Sequence, residues 1–359
     1  MAGLYVHIPF CKKRCLYCDF FSTTLLERRE AYVTALIQEI EQRKDEASEP
    51  IRTIYIGGGT PSTLEVKDVR RILEAIGAPY AEEITMELNP GDSTPEYLSA
   101  LLQTGVNRLS IGVQSFQDDL LQLIGRRHTA RQAIEAVRAA QEAGFDNISI
   151  DLMYALPTQT LTRLAADIAT SLQLGVQHIS TYGLMYEEGT VLTRRMENGE
   201  IEPIDEETEN AMYDAICDQL CKNGFVHYEV SNFALPGYEA KHNSSYWDGT
   251  PYVGVGAGAH SYIRNMRSWN PSDLEAYIRG MEDGTLVRES ETLTEQDLYN
   301  ERIMLGLRTN RGIPLTAVDA AKAQGLVQRQ LLRLTGDKRI VATQNGLHIL
   351  NTTIEELMI

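Results

Sequence analysis

From Leu4 onward, short apolar runs alternate with longer stretches in which apolar residues recur at helical spacing, and this pattern predicts repeated βα units on a parallel sheet. Leu4 to Ile8 is the first run; Tyr32, Val33, Leu36, Ile37 and Ile40 then share one helical face. Thr53 to Ile56 predicts the second strand, closed by Gly57-Gly58-Gly59-Thr60-Pro61-Ser62 and followed by a helix carrying Val66, Val69, Ile72, Leu73 and Ile76. Glu83 to Leu88, Arg108 to Val113, Asn147 to Leu152 and His178 to Leu184 predict strands three to six. Thr94-Pro95 starts a helix that Gly105 stops, and Thr129 is the expected N-cap of an Ala-rich helix ending at Gly144. Six βα units are too few to close an eight-stranded barrel and suit an open, partial one with room for a bulky ligand.

Beyond residue 205 the pattern changes. An acidic helix precedes Phe225 to Phe233, which alternates as a strand does, and Tyr252 to Tyr262 reads as a glycine-rich hairpin lying close against a ligand or a helix. Asp273 to Met281, Glu295 to Leu307, Thr316 to Ala323 and Gln328 to Leu334 predict helices; Arg339 to Ala342 and Leu347 to Leu350 predict a hairpin across Gln344-Asn345-Gly346. The expected fold is α/β: a partial (β/α)6 barrel over 1–235 and a mostly helical, winged-helix-like module over 236–359.

The chemistry-bearing residues fall at the C-terminal ends of the predicted strands, where β/α barrels bind ligands. Cys11, Cys15 and Cys18 follow strand one in C-x3-C-x2-C spacing, as thiolate ligands of an iron–sulfur cluster do. A zinc site completed by His7 and three unrelated buried thiols are the other readings. Glycines follow strand two and let backbone amides approach a ligand. Glu87 ends strand three, Gln114 follows strand four and Asp151 lies near the end of strand five, while Arg126 is suited to clamp a carboxylate. Cys217 and Cys221, one helical turn apart, read as small apolar side chains before they read as a second metal pair.

Composition narrows the partners. Among 359 residues, 33 Lys and Arg stand against 50 Asp and Glu, a net charge of −17 that opposes attraction to nucleic acid or anionic lipid. Five cysteines, three of them clustered, suit a reducing compartment, and no apolar tract of membrane-spanning length occurs. A soluble, cytoplasmic protein without an integral membrane segment is expected, with peripheral membrane contact left open and small molecules and proteins as partners.

The cysteine loop, with Tyr17 just before its last ligand, resembles that of the radical S-adenosylmethionine (SAM) superfamily. The resemblance implies a [4Fe-4S] cluster on Cys11, Cys15 and Cys18, whose fourth iron is chelated by the methionyl amino and carboxylate groups of SAM. Tyr5-Val-His-Ile-Pro-Phe-Cys11, Gly57-Gly-Gly-Thr-Pro61, Gly112-Val-Gln-Ser-Phe116 and Ile150-Asp-Leu-Met-Tyr-Ala-Leu-Pro157 are similar to the branch holding oxygen-independent coproporphyrinogen III oxidase and the heme chaperone HemW family. Carried over, Tyr5, Gly58, Gly59, Thr60, Glu87, Gln114, Arg126 and Asp151 are SAM contacts; Tyr17, Met185 and His260 occupy contact positions whose residue type varies. The oxidase pattern has a further cysteine where this chain has Phe20, and the chaperone pattern His-Asn-x-x-Tyr-Trp stands here as His242 to Trp247. The resemblance thus implies a chaperone that binds heme and passes it to acceptor proteins, with His242 as candidate heme ligand or, alternatively, a histidine that fixes a turn. Oxidative decarboxylation of porphyrinogen propionates through SAM cleavage is the alternative activity.

Overall fold

The structure, a computed structural model, describes residues 2–359. In chain order β1 (Ala2–Ile8), α1 (Arg29–Arg43), β2 (Ile51–Gly58), α2 (Val66–Ile76), β3 (Glu83–Leu88), α3 (Pro95–Leu102), β4 (Arg108–Gln114), α4 (Asp118–Leu123), α5 (Ala130–Ala143), β5 (Ile148–Tyr154), α6 (Leu161–Leu174) and β6 (His178–Gly183) form the βα series. β1 to β6 pair in parallel and in sequence order, the expected open (β/α)6 arrangement. Thr129 caps α5 in a reciprocal box with Gln132, and Gly144 ends it in the left-handed conformation at φ 103°.

A second alternation, inside each strand, decides what the barrel encloses. Leu4, Val6 and Ile8, then Ile54 and Ile56, Leu109 and Ile111, Ile148 and Ile150 are buried in one core with the helices. The residues between them are Tyr5 and His7, Thr53 and Tyr55, Thr85 and Glu87, Arg108 and Ser110, Ser149 and Asp151, Ser180 and Tyr182. These bond one another across strands, Ser110 to Asp151 at 3.2 Å and Ser149 to His178 at 2.7 Å. Because successive side chains face opposite sides of a strand, the apolar set packs outward on the helices and the polar set lines the interior. Parallel strands are usually apolar on both faces, so this interior is built for polar contents.

Both free edges are extended. After α7 (Val191–Glu197) and α8 (Glu206–Lys222), β7 (Val226–Glu229) and β8 (Asn232–Ala234) continue the sheet beyond β6. After α9 (Lys241–Trp247), β9 (Tyr252–Val255) pairs in parallel with β1, and β10 (His260–Ile263), β11 (Met266–Trp269) and, past α10 (Leu274–Glu282), β12 (Glu289–Thr292) carry the sheet to twelve strands. The segment 225–233, expected as one strand, is therefore a hairpin: Val230 leaves the sheet, bonds Arg308 O and packs on the second core. The glycine-rich hairpin lies against a helix, since a Cβ on Gly256 would sit 2.5 Å from Tyr32 Oη of α1.

The rest is α11 (Glu295–Gly306), β13 (Ile313–Pro314), α12 (Ala320–Gln328), β14 (Leu332–Leu334), β15 (Arg339–Ala342), α13 (Gln344–His348) and α14 (Leu350–Glu355). Three expectations are corrected here. The helix over Gln328 to Leu334 gives way to β14, which pairs with β15 across residues 335–338, a Thr-Gly-Asp-Lys turn with Lys338 at φ 61°. Asn345-Gly346 lies in α13 rather than in a hairpin; the Gly346 amide donates to Thr343 Oγ1, and a Cβ there would collide with Leu331 O. The helix expected from Thr316 begins instead at Ala320, capped by Asp319. The division expected at 235/236 also shifts. Val253, Val255, Tyr277 and Ile278 belong to the barrel's core, and a separate core forms from Ile303, Leu307, Leu326, Leu332, Ile340 and Ile354. Among the described residues no helix is long and apolar enough to cross a membrane.

Candidate functional site

The residues expected at the strand ends converge. Cys11 Sγ, from the loop after β1, lies 3.3 Å from Thr60 Oγ1 in the loop after β2. Arg126 Nη1 reaches Cys15 Sγ at 3.4 Å and Nη2 donates to Gly112 O at 2.5 Å, while its Nε is buried without a hydrogen-bond partner. Tyr17 is within electrostatic range of Arg126, Cys15, Cys18 and Asp151. Gln114 stands at a bulge between β4 and β5 with φ 68°, a strained conformation for a non-glycine residue and one that functional sites retain.

Burial pushes the thiols of Cys11 and Cys18 up, Cys18 to about 11, so binding a metal displaces their protons. Among the described residues no three His, Cys, Asp or Glu side chains close on a single ion. A four-iron cluster does not require that, because each thiolate binds a different iron. Three thiols on one loop, a guanidinium against one and a hydroxyl against another, fit such a cluster, and the orphaned Arg126 Nε marks a place for a further acceptor.

Beneath the thiols Glu87 accepts from Tyr55 Oη at 2.8 Å and from Gly58 N at 3.1 Å. Burial pushes its carboxyl up to about 7; the Tyr55 hydrogen bond opposes this and the Asp151 charge adds to it. Burial likewise raises Asp151, against hydrogen bonds from Ser110 and Ser180 and the charges of Arg108 and Arg126. Both carboxylates keep some surface open to the interior, and water there moderates the effect. Tyr5 joins the set, stacked on Tyr55 with ring centres 6.2 Å apart and bonded to His7 Nδ1 at 3.0 Å. Met185 stands 68 % exposed past β6 and His260 stacks on Trp269, so neither shares a hydrogen bond or ring contact with this group.

The glycines of the second loop each make room for a neighbour of the chain itself. A Cβ on Gly57 would lie 2.7 Å from Tyr55 Cε1 and 2.9 Å from Glu87 Oε1, one on Gly58 2.7 Å from the His7 ring, and one on Gly59 2.8 Å from the Pro9 carbonyl and 3.0 Å from Cys11 Sγ. Their close approach is first to the protein and only then to a ligand. Tyr55, Tyr182 and Arg108 were not singled out by sequence; the polar positions of the strand alternation were the available signal.

His242 is not placed to ligate heme. It is fully buried, its Nδ1 is 2.9 Å from Thr53 Oγ1 and its Nε2 is 2.8 Å from Tyr246 Oη. Its ring stacks on Tyr55 and its backbone N donates to Glu83. Both ring nitrogens are taken and burial pushes its pKa down to about 3, so in this structure His242 holds the start of α9 against β2 and β3. It sits at the N-terminal end of the strands, opposite the cysteines. Cys217 is a core residue 3.9 Å from His227 Nδ1, its thiol pushed up by burial, whereas Cys221 is exposed; the pair forms no metal site among the described residues.

A cleft of about 1290 Å³ opens at that same N-terminal end, between the barrel and the C-terminal module. Tyr246, Trp247, Tyr252 and Tyr262 line it together with Arg302 and Arg311. Arg52 and Arg267 also line it but are paired with Glu82 and Glu301, whereas Arg302 and Arg311 have no side-chain partner among the described residues. Among the described residues nothing in the lining is His, Cys or Met.

Residues 5–169 match the radical SAM superfamily model. The chain is 38 % identical to the heme chaperone HemW of Lactococcus lactis, covering 99 % of this chain and 97 % of that protein. It is 39 % identical to the HemW of Bacillus subtilis over 87 % of this chain and 85 % of that protein, and 34 % to that of Mycobacterium tuberculosis over 99 % and 94 %. The structure of Escherichia coli coproporphyrinogen III oxidase (HemN) superposes with a TM-score of 0.83 at 23 % identity, over 99 % of this chain and 89 % of that one, a likeness of fold.

Proposed function

The chain belongs to the HemW heme chaperone family of the radical SAM superfamily, and from that premise we propose how its two faces divide the work: the cysteine face holds a [4Fe-4S] cluster with SAM, and the cleft at the opposite end of the barrel receives heme for transfer to acceptor proteins. Cys11, Cys15 and Cys18 hold the cluster. The open iron takes the aminoacyl end of SAM, for which Gly58, Gly59 and Thr60, with Gln114 and Arg126 near the cysteine loop, are suited. Glu87 and Asp151, partly open to the interior, suit the ribose hydroxyls, and Tyr5 and Tyr17 suit the walls. A bound cluster supplies one-electron chemistry at SAM; the residues here position SAM and exclude water. Met185 and His260 remain peripheral to this set.

The observation that carries the heme reading is that Tyr246 and Trp247 of the His242–Trp247 motif open into a cleft that also presents Arg302 and Arg311. Flat aromatic faces and free guanidinium groups suit a planar tetrapyrrole with two carboxylates, and the volume exceeds the roughly 300–1,000 Å³ of ordinary small-molecule pockets. Arg302 and Arg311 are exposed in the cleft and offer their guanidinium groups to an acidic ligand, although Glu239 and Asp248 share the lining. Among the described lining residues, affinity comes from the aromatic faces and the guanidinium–carboxylate pairs, with the Tyr252 and Tyr262 hydroxyls as oxygen donors to iron.

A hemin titration followed in the Soret band tests this. Trp247→Ala and the double change Arg302→Gln/Arg311→Gln are expected to weaken binding about tenfold or more each, the cost of an aromatic contact or a charge-assisted pair; unchanged affinity in both would place heme elsewhere. Phe20, 66 % exposed, stands where the oxidase pattern has cysteine, and anaerobic incubation with coproporphyrinogen III is expected to return it unconverted. Cys15→Ser is expected to abolish the cluster; full four-iron content in that variant would refute the ligand set.

A further inference from the structure

We propose that Tyr55 is a positioning residue that ties the cleft to the cysteine face, so that occupancy of either is felt at the other. This rests on the reading that SAM binds at Gly58–Thr60 and heme against Trp247. The connection is continuous. Tyr246, in the cleft wall, bonds His242 Nε2 at 2.8 Å and meets its ring edge-on with centres 5.1 Å apart. His242 stacks on Tyr55 at 5.3 Å and 28°. Tyr55 Oη donates to Glu87 Oε1 at 2.8 Å, Glu87 Oε2 accepts from Gly58 N at 3.1 Å, and two residues on the Thr60 hydroxyl meets Cys11 Sγ at 3.3 Å.

Each member is also held from a second side, which makes the series stiff. His242 is pinned by Thr53 and by Glu83. The Tyr55–Glu87 pair lies so close to Gly57 that even a methyl group would meet Tyr55 Cε1 at 2.7 Å. Close-packed interiors pass a displacement on instead of absorbing it, and a bond broken in a low-dielectric interior is not replaced by water at no cost. A ligand that moves Tyr246 therefore moves His242 with it; the His242 ring moves the phenol; the phenol sets how firmly Glu87 holds the Gly58 amide. Tyr55 performs two separable tasks. Its ring carries the stack on His242, and its hydroxyl carries the bond to Glu87.

Tyr55→Phe separates them, keeping the ring and deleting the donor. In cluster-loaded protein with Tyr55, saturating SAM is expected to change the hemin Kd, and hemin the SAM Kd, by one common factor of about 5 or more, since coupling between two sites is reciprocal. In Y55F that factor is expected to fall to within about 2 of unity, while SAM alone binds about 2- to 10-fold more weakly, the loss of one hydrogen bond, and hemin alone is unaffected. Tyr55→Leu, which removes the ring as well, is expected to weaken hemin binding too. A spectroscopic readout needs no hemin. The chain has two tryptophans, so in a Trp269→Phe background, with excitation selective for tryptophan, Trp247 is the sole tryptophan emitter; SAM is expected to change its emission with Tyr55 present and not in Y55F. Coupling that survives in Y55F, or no coupling and no Trp247 response with Tyr55 in place, overturns the proposal. Should hemin not bind, the heme reading falls and the Trp247 response decides the role of Tyr55. Should SAM not bind, a hemin-induced change in the reduced cluster's EPR signal, lost in Y55F, decides it. Should neither bind, both readings fall.

Discussion

Glu87 and His242 flank Tyr55, and burial moves them to opposite protonation behaviour for one reason: each is held neutral by a medium that penalises charge. His242, pushed down from 6.5 to about 3, contributes stability that is present above pH 6.5 and lost as the pH falls through about 3, because the unfolded chain takes up the proton first. Glu87, pushed up from 4.5 to about 7, contributes stability that is present below pH 4.5 and lost as the pH rises through about 7. Denaturant titrations of the cluster-free protein between pH 7.5 and 4.5 should separate the two. His242→Gln, although less stable at neutral pH, is expected to lose about 2 kcal/mol less over that range than the unaltered chain, at about 1.4 kcal/mol per pH unit for one group discounted for residual water. Glu87→Gln is expected to steepen the same acid loss, since it deletes a group that gains stability as the pH falls. Parallel slopes in all three proteins would mean that neither group titrates as its burial implies. The identity of these residues was visible in sequence, but the meaning of His242 was not. A histidine beside tyrosine and tryptophan reads either as a ligand or as a structural histidine, and Thr53 and Tyr246 on its two nitrogens are what the structure adds.

Among the elements, the loop after β2 shows most clearly how local sequence and packing divide the information. Gly57-Gly58-Gly59 was legible as a tight, ligand-approaching turn; that the three glycines accommodate the Tyr55–Glu87 pair, the His7 ring and the cysteine loop in turn required the neighbours. Gly59→Ala places a methyl group 2.8 Å from the Pro9 carbonyl and 3.0 Å from Cys11 Sγ, so the cysteine loop must move. The variant is expected to keep its far-UV circular dichroism and to incorporate less than half the iron on reconstitution; full incorporation would show that the loop adjusts freely. Capped helices were readable because their end residues bond within one turn, as Thr129 does with Gln132. Segment 328–350 was misread because two turn signals compete there. The strand pair formed across 335–338, while Gly346 was claimed by its contact with the Leu331 backbone.

For the whole molecule the decisive feature is that both free edges of the six-stranded array are covered by later parts of the chain. β9 pairs with β1 through Gly3 to Val6, and Tyr277 and Glu39 share a buried hydrogen bond of 2.8 Å. A chain ending at residue 235 would expose the β1 edge and strip Val253, Val255, Tyr277 and Ile278 from the core, each side chain being worth about 1.5–3 kcal/mol of burial. A chain ending at 293 keeps them all. The shorter fragment is expected to aggregate and the longer to remain monodisperse and load its cluster; soluble, cooperatively unfolding 1–235 would return the boundary to where sequence put it. The separate core of residues 303–357 makes the C-terminal module removable in a way that 252–283 is not.

What the sequence by itself determined is local and periodic: the three thiols in eight residues, the six strand–helix units and the capped helix ends. These follow from spacing along the chain, which the backbone preserves. What only the tertiary structure decided depends on residues far apart in sequence meeting in space: the edge strands from 226–292 joining the barrel, the orphaned Arg126 Nε beside Cys15, the cleft between barrel and module, and His242 locked as a strut between Thr53 and Tyr246. No periodicity encodes such meetings, because they are set by how packed layers close on one another.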